Sequence, residues 1–500
     1  MGRVLLNRQE LRDRVNGCWM GKSIGGTLGG PFEGRRDILD VHGYTTPPGE
    51  PLPNDDLDLQ LVWLKAVQDR GPRGVNAQVL GEYWLNFIPP HWYEYGISKA
   101  NQRAGLVPPL SGMCHNAWRH SNGAWIRTEI WACLAPGSPD LAIRLAYEDA
   151  CVDHGAGEGT YAAMFVAAVE SAAFVVADPT ELIRIGLSKI PPDSRVARSI
   201  GIVQKAHGEG KTWQETRELV VEDSADLGWF RAPGNVAFVV IGWLYGGGDF
   251  GRSLTTAVNC GDDTDCTAAT LGAIFGILRG RAGLPPEWTE PIGERILTEA
   301  IDNGSLLPPK TIGDLTDRVM ALTPKVLASF SSDVEVSDGP TDLAGLDAAG
   351  LAGDWAAREI WQRSPYSVVH DLIHTRVKLD YGGDPEVQPG VPFRIKLGLQ
   401  NLLEDRRTLE LIWHLPEGWT VLPSNPGYVT LDSPVTFGNL EEIIAANPGV
   451  WPPVVEFEAQ IVPGSLAGPS TRGILEIVAP GRPTVGLIPL LFLNGNSSGV

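Results

Sequence analysis

The six cysteines include no Cys-x-x-Cys pair, which excludes a zinc ribbon and a thioredoxin-like redox motif. Four of the six lie among apolar or small residues and read as free core thiols. Basic residues are also scarce. Forty Lys and Arg stand against 60 Asp and Glu, a formal net charge of −20, with no long basic run. That balance argues against nucleic acid or an anionic membrane as a partner. No apolar run is long enough to span a bilayer, and none follows the N-terminal Met-Gly-Arg-Val-Leu-Leu-Asn. The expected compartment is therefore a reduced, cytoplasmic one. Gly246-Gly247-Gly248 has no following Lys-Ser/Thr, so it reads as a helix-ending turn, not a phosphate loop. No Ser, Cys and His spacing supports a nucleophilic triad.

What is present fits a chain with ample core: 43% hydrophobic residues, 20% charged, and 500 residues in all, enough for two or three domains. The fold expected is mainly α, a helical domain over residues 1–330 followed by a smaller antiparallel β-sandwich. Asn7 and Glu10 resemble a capping box, with Leu11, Val15 and Cys18 following at helical spacing. Further helices are predicted from Asn54-Asp55-Asp56 onward, over Thr160–Ala177, after Asp178-Pro179, over Asn235–Tyr245 and Phe250–Val258, and over Cys266–Leu278. Residues 331–370 read as a linker with a short helix near Asp354–Gln362. Over residues 371–500 the pattern becomes period two, as in Arg394–Leu399, Thr408–Leu411, Val455–Ala459 and Ile474–Ile477, which predicts the β-sandwich.

Two acidic clusters carry the chemistry: Asn54-Asp55-Asp56 and Asp262-Asp263-Thr264-Asp265, each at the start of an apolar helix. Either alone would read as helix capping, worth about 0.3–1 kcal/mol per carboxylate. Together, at buried helix starts, they form a charge load that needs a cation. Oxygen ligands favour a hard ion such as Mg²⁺ or Ca²⁺. Asp263 and Asp265 form an Asp-x-Asp pair able to grip one ion or bridge two.

Four segments, in order, resemble the ADP-ribosylglycohydrolase family over roughly residues 12–330. They are Gly17–Gly21 through Gly29–Gly34, ending at Glu33; Asn54-Asp55-Asp56; Ser121–Arg127 with Asp153-His154; and Ala257–Cys266, the most specific. The resemblance implies an all-helical domain with two Mg²⁺ ions, with Asn54, Asp55, Asp56, Asp263, Asp265 and Cys266 at the metal positions. It implies Asp56 or Asp263 as the base that activates water, Glu33 as a gating, orienting or acid/base group, and Asn122, Gly123 and His154 as substrate contacts. For His154 a structural helix cap is an equal reading, and Asn122-Gly123 by itself is an ordinary turn. The loop Pro89–Tyr95 carries aromatics that suit packing, or stacking on a base or sugar.

Three departures stand out. Asn54 and Cys266 replace threonines, and Asp262 replaces a glycine and adds charge. A thiol is a poor Mg²⁺ ligand, which leaves one metal position weakened, altered or lost, or open to a softer ion such as Mn²⁺. The carboxylates beside Cys266 should also raise its pKa, against a thiolate nucleophile. The expected function is metal-dependent hydrolysis at C1 of an ADP-ribosyl or related pentofuranosyl group, free or protein-linked. The alternatives are a hydrolase of simple furanosides or oligosaccharides, or a non-catalytic binding protein. The β domain is expected to bind carbohydrate, cover the cleft or form a homo-oligomer interface.

Overall fold

A computed structural model describes residues 3–228, 230–403, 405–433 and 454–495. The chain divides into two compact units, one of residues 1–100 and 111–362, the other of residues 101–110 and 363–500. Among the described residues no helix is long and apolar enough to cross a membrane.

The first unit is helical. Its centre is the antiparallel pairing of the first helix, Arg8–Gly29, with Thr264–Arg279. Gly17, Gly21, Gly25 and Gly29 recur every fourth residue and so share one helix face. They meet Gly276, Gly272, Ala268 and Thr264 in turn. At Gly21 the approach is so close that a Cβ would sit 1.9 Å from the Gly272 carbonyl oxygen. At Gly29 a Cβ would meet the Thr264 carbonyl at 2.2 Å. This glycine face presses the start of the second acidic segment against the end of the first helix, and Thr264 Oγ1 donates to Gly29 O at 2.8 Å.

Helix starts follow local chemistry. Asn7 caps the first helix through Gln9 and Glu10 N–H, while the Glu10 carboxylate accepts from Thr341 rather than closing a capping box. Asp178 caps Pro179–Leu187 with proline in the first turn. The helix expected to reach Ala177 spans Glu158–Ala172; Val175 and Val176, β-branched and just ahead of Asp178-Pro179, do not continue it. The other predicted helices are Ala232–Tyr245, Phe250–Asn259, Thr264–Arg279 and Trp355–Trp361. Other features were not anticipated, among them the helices Ala77–Phe87, Arg195–Gly208 and Ile312–Ser329 and the following two. The helix Pro139–His154 carries Asp149, Asp153 and His154. The strand Val4–Asn7 pairs in parallel with Val334–Ser337, inside the stretch read as a connection.

The second unit holds two five-stranded sheets among its described residues. One runs, in spatial order, Ser367–Asp371, Thr375–Asp380, Phe393–Asn401, Val454–Val462 and Thr420–Leu422, all antiparallel. The other runs Glu386–Val387, Val485–Asn494, Ser470–Val478, Arg407–His414 and Gly427–Leu431, antiparallel except for the short first strand. Alternate residues such as Ile395, Leu397 and Leu399 are buried, as period two requires. Their core includes Phe492, whose ring lies 6.0 Å from Phe393 and 5.3 Å from Trp419.

Candidate active site

The site lies wholly in the helical unit. Asn54 has extended backbone and caps Asp55–Arg70 by accepting from Asp56 N at 2.7 Å. Room for its side chain exists because residue 26 is glycine; a Cβ there would lie 1.9 Å from Asn54 Nδ2. Asp55 therefore opens the helix, and its Oδ2 accepts from Tyr95 Oη at 3.2 Å. Asp55 keeps part of its surface open yet is ringed by protein atoms. Burial, then Asp56 and Asp265, push its carboxyl well above the usual range. Asp58, on the same helix, is fully buried, and its Oδ2 accepts from Glu299 N and Ala300 N, each at 2.7 Å.

Two groupings of ligand atoms converge, each within 4.8 Å and both containing Asp265: Asp56, Asp265 and Cys266; and Glu33, Asp263 and Asp265. Asp263 is held by two amides. Asn122 Nδ2 donates to its Oδ2 at 2.6 Å, and its own N–H donates to Asn235 Oδ1 at 3.1 Å. Asp263 Oδ1 and Asp265 Oδ1 are buried without a hydrogen-bond partner. Such oxygens are rare unless something completes them. Burial is the largest cause of the raised carboxyls here. It lifts Asp263 well above the usual range, with Asp265 next, and lifts Asp265 to about 6, with Glu33 next. Glu33, exposed at the rim, is also raised, by loss of solvent and then by Asp56. Buried, mutually repelling, partly orphaned hard oxygens fit a divalent cation.

The second grouping contains surprises. The Cys266 thiol donates to Asp56 Oδ1 at 3.2 Å, and Asp56 Oδ2 makes no hydrogen bond but has Lys22 Nζ 3.3 Å away. Lys22 is buried in the first helix, 2.8 Å from Glu129 Oε1, and donates to Ile126 O at 2.5 Å. Burial opposes its charge, but Asp56 and Glu129 outweigh it and raise the ammonium above its ordinary value. Burial first, and then Asp263, Asp265 and Asp56, raises the Cys266 thiol well above its ordinary range. Asp262 does not crowd the cluster as expected. Its carboxylate turns to accept Phe230 N at 2.9 Å, and Arg36 and Arg217 draw its charge. Its φ of +68° explains why a glycine suits this position, and aspartate is among the few residues that tolerate it. Asp262→Asn should therefore leave divalent-ion affinity unchanged by calorimetry; a clear rise in affinity would mean that the Asp262 charge does reach the cluster.

Asn122 and Gly123 sit on a loop fixed from behind. A Cβ on Gly123 would lie 2.2 Å from Glu94 Oε1. Arg127, fully buried, pairs with Asp149 at 2.9 Å and Asp153 at 2.8 Å, donates to Gly123 O, and stacks 4.8 Å from the Trp84 ring. Burial opposes the Asp153 charge, but Arg127 and His154 overcome it and hold its carboxyl below the usual range. His154 is fully buried, with Nδ1 2.8 Å from Asp153 Oδ1 and Nε2 3.1 Å from Ser121 Oγ. This Ser-His-Asp arrangement was not legible in sequence. Ser121 is itself fully buried and donates to Trp118 O at 2.6 Å, so the group braces the loop. In the loop Pro89–Tyr95 the Tyr93 ring lies 4.3 Å from Trp118 and 5.2 Å from Phe230, both tilted, while Trp92 and Tyr93 stay exposed.

Asp58 supplies a pH test. Its carboxyl is raised to about 7, by burial first, against the two N–H donors. A raised folded-state value contributes stability that is complete below the ordinary carboxylate range and is lost as pH rises through about 7. In chelator, wild type should therefore gain melting temperature relative to Asp58→Asn as pH falls from about 8 to about 5. A gap that shrinks on acidification would contradict this.

The family model described as ADP-ribosylglycohydrolase matches residues 7–325. The chain is 22% identical over 308 residues to ADP-ribosylarginine hydrolase Tri1 of Pseudomonas putida (strain GB-1), covering 57% of this chain and 76% of that protein. A solved structure described as an ADP-ribosylglycohydrolase-related protein complex matches at TM-score 0.43 and 21% identity, covering 64% of this chain and 99% of that one. The chain is a glycohydrolase. The chain belongs to the ADP-ribosylglycohydrolase family.

Proposed function

We propose that this chain is a metal-dependent glycohydrolase that cleaves the C1 bond of an ADP-ribosyl group, or of a related pentofuranosyl group, by attack of water. The observation that carries this reading is the Glu33, Asp263 and Asp265 grouping, with buried Asp263 Oδ1 and Asp265 Oδ1 unpartnered. Asn54, Asp55, Asp56 and Cys266 border this ligand set through Asp265 and the Asp56 helix start. A divalent ion held there, Mg²⁺ or the softer Mn²⁺, would supply positive charge for ribose hydroxyls and for the water.

The chain's own groups divide the remaining work. Asp263 is better placed than Asp56 to take the proton of the attacking water. Asp263 Oδ1 and Asp56 Oδ2 both lack a hydrogen bond, but Asp56 Oδ2 sits 3.3 Å from the Lys22 ammonium while Asp56 Oδ1 takes the Cys266 thiol. Asn122 holds Asp263 Oδ2 and so fixes which oxygen faces the substrate. Glu33, exposed and raised, can carry a proton at the rim to the departing group and orient it. Carboxylates around an oxocarbenium-like state stabilise its positive charge. Gly123 and His154 shape the wall of the site from behind the Asn122 loop, His154 through Ser121. The relative's name favours an arginine-linked substrate. A panel of ADP-ribosylarginine and nitrophenyl furanosides in Mg²⁺ or Mn²⁺ tests this. Turnover of the conjugate is expected; activity on simple furanosides alone would overturn the ADP-ribosyl reading.

A further inference from the structure

Lys22 is an isolated cation in a helix whose neighbours are small or apolar, and nothing in the reaction requires an ammonium there. It does not face solvent: its side chain is 1% exposed, while those of Asp56 and Glu129 are 0% exposed. Three oxygens fix Nζ, from Ile126, Glu129 and Asp56. It therefore has neither the room nor the solvent to swing aside. The two ligand groupings that share Asp265 differ in kind. Glu33, Asp263 and Asp265 offer hard carboxylate oxygens and no thiol. Asp56, Asp265 and Cys266 offer a soft thiol already donating to Asp56, whose other oxygen faces Lys22. Hard divalent ions select the first set over the second. A fixed ammonium beside the second set also repels a dication through a poorly screened interior.

We propose that Lys22 Nζ takes the place of one divalent cation in this chain, neutralising Asp56 and Glu129 at the closed end of the cluster, so that a single hard ion binds at Glu33, Asp263 and Asp265. This rests on the reading of the cluster as a metal site. It makes Lys22 a positioning residue. It holds Asp56 as a fixed anion beside the single ion, and the thiol of Cys266 is tolerated because that position no longer has to ligate a metal.

The test is the metal stoichiometry of the full chain, stripped with chelator and titrated with Mn²⁺ by calorimetry and electron paramagnetic resonance. One Mn²⁺ per chain with a six-line mononuclear signal is expected. Two tightly bound ions with a spin-coupled signal would overturn the replacement while leaving the metal site standing. No binding at all would overturn the metal-site reading and this inference with it. The double variant K22M/C266T removes the ammonium and supplies a hydroxyl. If it folds, as judged by circular dichroism, its stoichiometry should rise from one to two, and a value that stays at one would overturn the role given to Lys22. If it does not fold, the wild-type stoichiometry and spectrum decide alone.

Discussion

Asp263→Asn is expected to lower kcat on the order of a thousandfold while raising the melting temperature of the metal-free protein. The two effects share one cause. Asparagine keeps the shape of aspartate, so its side-chain oxygen can still accept from Asn122 Nδ2, as Asp263 Oδ2 does at 2.6 Å. What it removes is an anion that burial and the facing Asp265 already disfavour. Without a cation that repulsion is an unrelieved cost of folding. With a cation the same charge is what binds the ion and takes the proton of water. Release of the sugar measures the first effect, and thermal melts in chelator measure the second. Activity within tenfold of wild type would show that Asp263 is not at the reaction centre. A lower melting temperature in chelator would show that its charge has a partner.

Gly21→Val should be the most damaging substitution to the fold, costing about 4 kcal/mol or more. The first added carbon alone would stand 1.9 Å from the Gly272 carbonyl oxygen and 2.4 Å from its carbon. Both are backbone, so no side-chain rotation can relieve the clash, and the two central helices must part. Because that contact also positions Asp263 and Asp265, activity should fall with stability. For a domain of this size the expected loss in melting temperature is on the order of 10 °C. Gly201→Ala is the matched control. That glycine is exposed in the helix Arg195–Gly208, with open space where a Cβ would go. It should gain up to about 1 kcal/mol from helix propensity. Equal effects at the two glycines would contradict the close packing.

The parts of the site that were legible in the sequence are those that local chemistry announces. Asp55-Asp56 and Asp263-Thr264-Asp265 sit at helix starts, where residue order, capping and apolar spacing carry the signal. The strands Phe393–Asn401, Arg407–His414, Val454–Val462 and Ser470–Val478 were legible for the same reason, because alternation survives in a window of a few residues. Lys22 was missed because its meaning lies in Asp56 and Glu129, which only the packing of three segments brings to it. A single charge in the otherwise uncharged stretch Val15–Gly29 of the first helix was the available clue. Arg127 with Asp149 and Asp153 was hidden likewise, although Arg127 and Asp153 lie in segments that carried the family resemblance. Asp262 misled because sequence reveals a charge but not a φ of +68°, and that backbone turn aims its carboxylate at Phe230 N. The pairing of Val4–Asn7 with Val334–Ser337 joins strands of four residues each, too short for a periodic pattern to stand out.

We propose that two remote acidic segments form one cation site that cleaves an ADP-ribosyl bond. The most direct measurement is release of ADP-ribose from ADP-ribosylarginine by the full chain, before chelation, after it, and after Mg²⁺ or Mn²⁺ is restored. Turnover that disappears with chelator and returns with the ion in wild type, but does not return in Asp263→Asn, is the predicted result. Turnover that survives complete removal of the metal, or that returns equally in Asp263→Asn, would contradict it.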